Sequence, residues 1–365
     1  GVLKNPSYTM ERICETLMLL RTKYRFNGYI HVKAIPGAPD GLLSRAGYLA
    51  DRVSINLELP TAQSLSKLAP NKSFKTILEP MEKITGTIAA NRLALGKDAR
   101  MERSSINRYL TGSIFNQNGT DNGQAALSGT QRTALESGDK LSLPAVSKDM
   151  CVKRPFAPAG QSTQMIIGAT PETDLTLIRT TQHLYKNYDL KRVFYSAYIP
   201  LNEDSALPQL DADVPLLREH RLYQADWLLR FYGFQADELL SESRPNFNEQ
   251  LDPKCDWAIR HLGQFPVEVQ NASYDMLLRI PGIGPKSARR IVETRRYAKL
   301  DFDILKKIGV VLKRAHYFIT CNGRMMYRIP IEESYITECL TDDNHKENWE
   351  ITHQNEKYQQ LSLFE

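Results

Sequence analysis

The feature that most constrains this chain is an exchange of two hydrophobic periods through its first two hundred residues. Met10 to Tyr24 places apolar residues at Met10, Ile13, Leu17, Met18 and Leu20, the one-sided stripe of a helix. Tyr29 to Ile35 then alternates like a strand and stops at Pro36-Gly37. The exchange recurs, with a helix over 40–50, a strand over Arg52–Leu59 that ends at Pro60, and a helix from Thr61 to Leu68. Farther on come a strand at Met165–Gly168, a helix at Asp174–Tyr185 and a strand at Arg192–Ile199. Repeated strand-helix units predict an α/β architecture built on a parallel sheet or a (β/α) barrel.

Between these units, from about Asn91 to Lys153, periodicity fades, and Thr111 to Ser142 is rich in Gly, Ser, Asn, Gln and Thr. The sequence predicts a largely disordered insert there, inside a first domain over 1–205. Residues 206–270 read as a connecting helical region, with Leu216, Tyr223, Trp227 and Phe231 near helical spacing on a core helix. At 365 residues the chain is long enough for two domains with separate cores. No apolar run approaches the ~20 residues of a membrane span, and no basic-plus-apolar leader opens the chain, so no membrane and a cytoplasmic location are expected. Cys14, Cys151, Cys255, Cys321 and Cys339 are scattered and form no C-x-x-C pair. They suit reduced thiols and match neither a disulfide framework nor a zinc-ligand spacing.

Chemistry in parallel α/β folds gathers at the carboxyl ends of strands. Four predicted ends supply candidates: His31 and Lys33; Ser54, Asn56 and Glu58; Gly168 to Glu172; and Tyr195, Ser196 and Tyr198. Inward polar residues on a strand need partners or a ligand. Each alone is explained by a structural hydrogen bond; four converging on one mouth point to a site, with His31, Lys33 and Tyr198 as the substrate-side, catalytic candidates.

A second constellation lies at Leu277–Ile291. An apolar helix end (Met276, Leu277, Ile280) runs into Pro281-Gly282-Ile283-Gly284, and a basic helix with Lys286, Arg289 and Arg290 starts at once. Gly282 and Gly284 permit backbone conformations closed to other residues, so consecutive N–H groups converge on one oxygen while the next helix offers its N-terminal dipole. Such a nest suits a phosphate, held by Gly282, Ile283, Gly284, Lys286, Ser287, Arg289 and Arg290. Between Lys286 and Arg314 ten Lys or Arg face three acidic residues, a local excess of +7 where the whole chain carries +5. The stretch resembles the helix-hairpin-helix motif of DNA repair and recombination proteins, which grips the nucleic-acid backbone without reading sequence. A small all-α DNA-binding module over 271–325 is therefore expected. Leu305–Ala315 repeats the pattern of apolar residues, Gly and basic residues as a degenerate second copy. Trp257 and His261 are either base-stacking groups or packing.

The first domain carries a second resemblance. Ser54-Ile55-Asn56-Leu57-Glu58, followed by Met165 to Asp174, looks like the fourth and fifth strands of a radical S-adenosylmethionine barrel. His31–Ala38, Phe156–Gln164 and Leu217–Arg230 resemble bacterial radical S-adenosylmethionine proteins of DNA modification or repair. The likeness spans nearly the whole chain except the insert and the tail. It implies a partial (β/α) barrel that binds S-adenosylmethionine, with Asn56 and Glu58 at its methionine and ribose and Gly168, Ala169, Thr170 and Glu172 at its adenine. It also implies a 4Fe-4S cluster, yet the C-x-x-x-C-x-x-C ligand motif of that superfamily is absent. The expectation is that cluster ligands lie before Gly1.

The tail over 326–365 turns acidic. From Ile331 onward nine Asp or Glu face Lys346 and Lys357, and it ends Gln360-Leu361-Ser362-Leu363-Phe364-Glu365. That ending resembles the peptide by which proteins bind the bacterial sliding clamp, with Gln360, Leu361, Leu363 and Phe364 seated in its pockets. Together the resemblances imply a clamp-tethered radical enzyme of DNA modification or repair. The rivals are a non-catalytic clamp-associated DNA-binding scaffold and an RNA-modifying radical enzyme.

Overall fold

The computed structural model describes residues 2–94, 154–201 and 203–341. The chain divides into two compact units, Gly1–Phe247 and Asn248–Glu365, so the stretch 206–270 is shared between them.

In the first unit α1 (Pro6–Thr22) starts with Pro6 in its first turn and with the Asn5 side chain accepting the Tyr8 amide, an N-cap that fixes where the helix begins. It packs against α2 (Asp40–Leu49). Strands β1 (His31–Lys33), β2 (Arg52–Ser54), β3 (Gln161–Ile167) and β4 (Arg192–Ala197) form one parallel sheet in that order. The registers pair Lys33 with Ser54, Ser54 with Ser162 and Ile167 with Ala197. The predicted strand-helix alternation and its parallel sheet are present.

The expected strand over 52–59 is broken. β2 stops at Ser54, and the chain rejoins β3 at Glu58, which bridges Met165. Four steps from Ser54 to Glu58 thus pass three steps from Ser162 to Met165. One extra residue in a strand is a bulge, which re-aims the side chains around it. Glu58 takes a φ of +67°, and the Thr163 hydroxyl accepts the Leu57 amide at 2.9 Å.

Helix α3 (Ala62–Leu68) is followed by α4 (Phe74–Ala94), a long helix absent from the strand-helix alternation expected above. Its buried residues Ile77, Met81, Ile84 and Ile88 keep helical spacing, but Pro80 stands among them, and proline ordinarily breaks a helix interior. The start of the expected insert is also corrected. Asn91 and Arg92 belong to α4, with Asn91 accepting the Phe156 amide at 3.0 Å and Arg92 meeting Asp189 at 3.5 Å. The rest of that insert, 95–153, lies outside the described residues.

Helix α5 (Asp174–Tyr188) and α6 (Leu216–Phe231) pack on each other, and α6 also packs on β4. They share a buried polar network. The Tyr185 hydroxyl donates to Asp226, the carboxylate that also receives Nε and Nη2 of Arg230 at 3.0 and 2.7 Å. Burial raises the pKa of Asp226, and Arg230 opposes that rise. Helix α6 is thus a layer of the first unit. The short α7 (Ala236–Leu239) follows.

The second unit is not all-α. After α8 (Pro253–Arg260), β5 (Val267–Glu268) pairs in parallel with β6 (Ile319–Thr320). Between them lie α9 (Tyr274–Arg279), α10 (Pro285–Thr294), α11 (Phe302–Lys307) and α12 (Leu312–Ala315), and α13 (Glu333–Thr341) follows. Leu277, Leu278, Ile280, Ile283, Ala288, Ile291, Leu305 and Phe318 form the buried core of this unit. Trp257 is buried and stacks on His261 at 4.3 Å, so its ring serves packing. Among the described residues no helix is long and apolar enough to cross a membrane.

Candidate functional site

Ser273 caps α9 by accepting the Met276 amide, and the helix ends as Ile280 turns extended. Pro281 and Gly282 carry the chain around. Gly282 has a φ of +83°, and a Cβ there would stand 2.4 Å from the Val311 carbonyl oxygen. Only glycine fits both demands. Gly284 differs: with φ −99° and ψ 173° it lies in extended space open to any residue. The expectation that both glycines supply a special conformation is corrected to Gly282 alone.

Pro285 then opens α10, which has no side-chain cap. The first backbone bond that closes the helix runs from Ala288 N–H to the Gly284 carbonyl at 2.8 Å. Among the described residues no acceptor meets the amides of Gly284, Lys286 or Ser287. An uncapped helix start with several open amides is a ready anion site. Lys286 and Arg290 are exposed beside it, and Arg289 is half-buried.

Two predicted contacts move inward. Ile283 is 1% exposed, its amide bonding the Ile280 carbonyl and its carbonyl accepting from Lys254. Ser287 is buried and its hydroxyl donates to the Gly309 carbonyl at 2.7 Å, leaving only its amide for a ligand. Part of the basic excess is structural as well. Arg295 donates to the Ala272 carbonyl at 2.6 Å, and Arg314 meets Asp252 at 2.8 Å.

The degenerate second copy is a real second turn. Gly309, between α11 and α12, has a φ of +92°, matching Gly282. The two turns interlock: Val311 N–H donates to the Gly282 carbonyl at 2.9 Å, and Arg290 Nη1 donates to the Ile308 carbonyl at 3.0 Å. The amides of Gly309, Val310 and Val311 are all engaged within the unit. Among the described residues, the amides left open in the second copy are therefore those of Leu312 and Lys313 at the start of α12, whereas in the first they begin in the loop itself, at Gly284.

The other candidates gather at the carboxyl edge of the first unit's sheet. Lys33 and Lys72 approach the Glu58 carboxylate at 3.5 and 3.1 Å, and Asn56 donates to Gln164 at 3.1 Å. Glu172 accepts the Thr61 hydroxyl at 2.8 Å. Burial raises its pKa, but hydrogen bonds from Ser64, Thr170 and Thr61 outweigh that and hold it low. Tyr198 follows β4, its amide on the Ile167 carbonyl. His31 sits at the opposite, amino end of β1 beside Arg52, where partial burial chiefly, and Arg52 after it, push its pKa down. Gly168, ahead of Ala169, has a φ of +86°, and a Cβ would stand 2.7 Å from Pro215; packing within the unit already explains this glycine.

The described thiols do not fit an iron-sulfur cluster. Cys14 is buried on α1 and donates to the Leu42 carbonyl, and Cys255 is buried in the other unit. No three His, Cys, Asp or Glu among the described residues gather as metal ligands. The clamp-peptide residues Gln360, Leu361, Leu363 and Phe364 lie outside the described residues.

Residues 267–294 match the helix-hairpin-helix motif, a nucleic-acid-binding element of the DNA-binding kind. Neither a curated protein nor a solved structure matches the chain.

Proposed function

We propose that this protein holds DNA by its phosphate backbone, independently of sequence, at the turn between α9 and α10. The observation that carries the reading is the set of open amides at Gly284, Lys286 and Ser287, flanked by exposed Lys286 and Arg290, inside the matched motif. Backbone amides and lysine or arginine heads contact phosphate oxygens that are alike in every sequence. Duplexes of unrelated sequence are expected to bind with similar affinity. Replacing Lys286 by Ala should weaken all of them alike and reduce the slope of log affinity against log salt by about one. Strong discrimination among duplexes, or an unchanged slope, refutes the reading.

The finer reading is a radical S-adenosylmethionine enzyme of DNA modification or repair, tethered to the bacterial sliding clamp. Its support is the resemblance of the first unit together with polar groups gathered at one sheet edge. Asn56, Glu58 and Glu172 would hold the cofactor there, and S-adenosylmethionine would supply a radical for hydrogen abstraction. Lys33 and Tyr198 would face the substrate. Binding of S-adenosylmethionine by the full chain, lost on Glu58→Ala, tests this; retained binding in that variant overturns the residue assignment. Clamp binding that survives deletion of 360–365 would remove the tether.

A further inference from the structure

Directly beneath the gripping turn lies a buried cation. Lys254 stands in the first turn of α8, where Asp252 caps the helix by accepting the amides of Lys254 and Cys255 at 3.2 and 3.1 Å. Its side chain runs inward, the residue is 8% exposed, and Nζ donates to the Ile283 carbonyl oxygen at 2.6 Å. Lysines are almost never buried, because an ammonium taken from water loses strong hydration.

The partner of that ammonium gives its position a meaning. The Ile283 carbonyl and the Gly284 amide belong to one planar trans peptide, whose C=O and N–H point in opposite directions. Holding the oxygen from inside the unit turns the Gly284 N–H outward. A charged donor on the carbonyl also polarises the peptide and strengthens its N–H as a donor. That N–H is one of the open amides of the turn. On the preceding peptide the Gly282 carbonyl is held by Val311 and the Ile283 amide by Ile280. Both peptides around Ile283 are thereby fixed in direction.

We propose that Lys254 is a positioning residue for phosphate binding, its ammonium locking and polarising the Ile283–Gly284 peptide so that the Gly284 amide donates to a nucleic-acid phosphate oxygen. This rests on the backbone-gripping reading above. The charged and titratable groups facing Lys254 are Asp252 and Cys255 on its own segment, Arg279 from α9 and Arg314 from α12. Burial is the main influence and lowers its pKa to about 7, against the pull of Asp252. An anion held at Gly284 favours the ammonium form, so binding takes up a proton. Affinity is then level below about pH 7 and falls above it by up to tenfold per pH unit.

The test uses the full chain and a labelled DNA duplex at constant ionic strength, from about pH 6 to about pH 9. The natural protein is expected to lose affinity several-fold across that range. Lys254→Met is expected to bind about tenfold more weakly at the acidic end, with the step above neutral pH gone. Lys286→Ala should bind more weakly throughout and keep the step. A natural protein with no step, or a Lys254→Met variant that retains it, overturns the proposal; a natural protein that binds no duplex at any pH overturns the backbone-gripping reading instead. A measurement without substitution guards against a misfolded variant. In glycine-labelled protein the Gly284 amide resonance should titrate with a midpoint near the Lys254 pKa of about 7, and a resonance with no inflection there also refutes the assignment.

Discussion

Three glycines of the second unit look interchangeable in sequence and should respond differently to one added methyl group. At Gly282 an alanine meets two obstacles. Its φ of +83° lies in left-handed space, at a cost of about 1–2 kcal/mol for a side-chain-bearing residue. Its Cβ would also stand 2.4 Å from the Val311 carbonyl and 3.1 Å from the Ala315 amide. Backbone atoms of a neighbouring turn cannot swing aside as a side chain does. Relief requires parting the turns, which stretches the 2.9 Å bond from Val311 to Gly282 and forfeits about 0.5–1.5 kcal/mol. Reduced freedom of the unfolded chain returns about 0.4–1 kcal/mol. With some overpacking strain, the net loss for Gly282→Ala is about 3 kcal/mol. At Gly309 the φ of +92° carries the same left-handed cost, but the nearest atom to a new Cβ is Arg290 Nη1 at 3.5 Å, the far end of a flexible side chain. About 1 kcal/mol is expected there. Gly284, at φ −99°, carries no such cost, so Gly284→Ala should leave stability within about 0.5 kcal/mol. Hydrogen exchange of peptides covering 274–294 and 302–315 reads these differences in the unit that holds the turns. Gly282→Ala should raise exchange about a hundredfold, Gly309→Ala about fivefold and Gly284→Ala hardly at all. The reasoning fails if Gly284→Ala opens the unit as much as Gly282→Ala, or if Gly309→Ala is the worst of the three.

Two further predictions concern pH. Lys254 has a folded pKa of about 7 against 10.5 unfolded, so between those values the unfolded chain binds more protons and stability rises with pH. Below pH 7 the buried charge costs about 5 kcal/mol; Lys254→Met removes that cost but orphans the Ile283 carbonyl at about 1–3 kcal/mol. The variant should exchange more slowly at pH 6 by a factor matching about 2–4 kcal/mol, with the advantage shrinking toward pH 10; a natural protein already the more stable at pH 6 contradicts it. Glu268 accepts the amides of Gln270, Asn322 and Gly323 and the Thr320 hydroxyl. Burial raises its pKa, but these bonds together hold it below the usual value of 4.5. Its contribution is present above that value and lost as pH falls through the lower folded pKa. Glu268→Gln should therefore loosen the β6 loop at neutral pH and make little difference in acid; equal loosening at both pH values would contradict the assignment.

Much of the architecture was legible because hydrophobic period survives in sequence. The parallel sheet and most of the helices of the first unit followed from the exchange between strand and helix spacing. One residue that contradicts its surroundings is enough to mask a helical period. Pro80 hid α4 although Ile77, Met81, Ile84 and Ile88 keep helical register. β5 and β6 are two residues each, too short for any period to show. The bulge between Ser54 and Glu58 depends on register with β3, a relation between distant segments that no local pattern carries. At the turn, the sequence named the right loop and treated Gly282 and Gly284 alike, since only folded backbone angles separate them. Ser287 looked like a phosphate ligand, but its hydroxyl was claimed by Gly309. Lys254 gave no signal at all. A single lysine in a mixed stretch announces neither its burial nor its carbonyl partner.

The interlock of the two turns bears on how this element can be moved or inherited. The segment that matches the motif ends at residue 294, yet the Gly282 carbonyl, the Ser287 hydroxyl and the Arg290 guanidinium all find their partners between Ile308 and Val311. A graft cut at the motif's borders would carry the open amides and leave behind the latch that holds their loop in shape. The transplantable cassette runs from α8 through β6, and within it neither hairpin is free to drift in sequence without its twin.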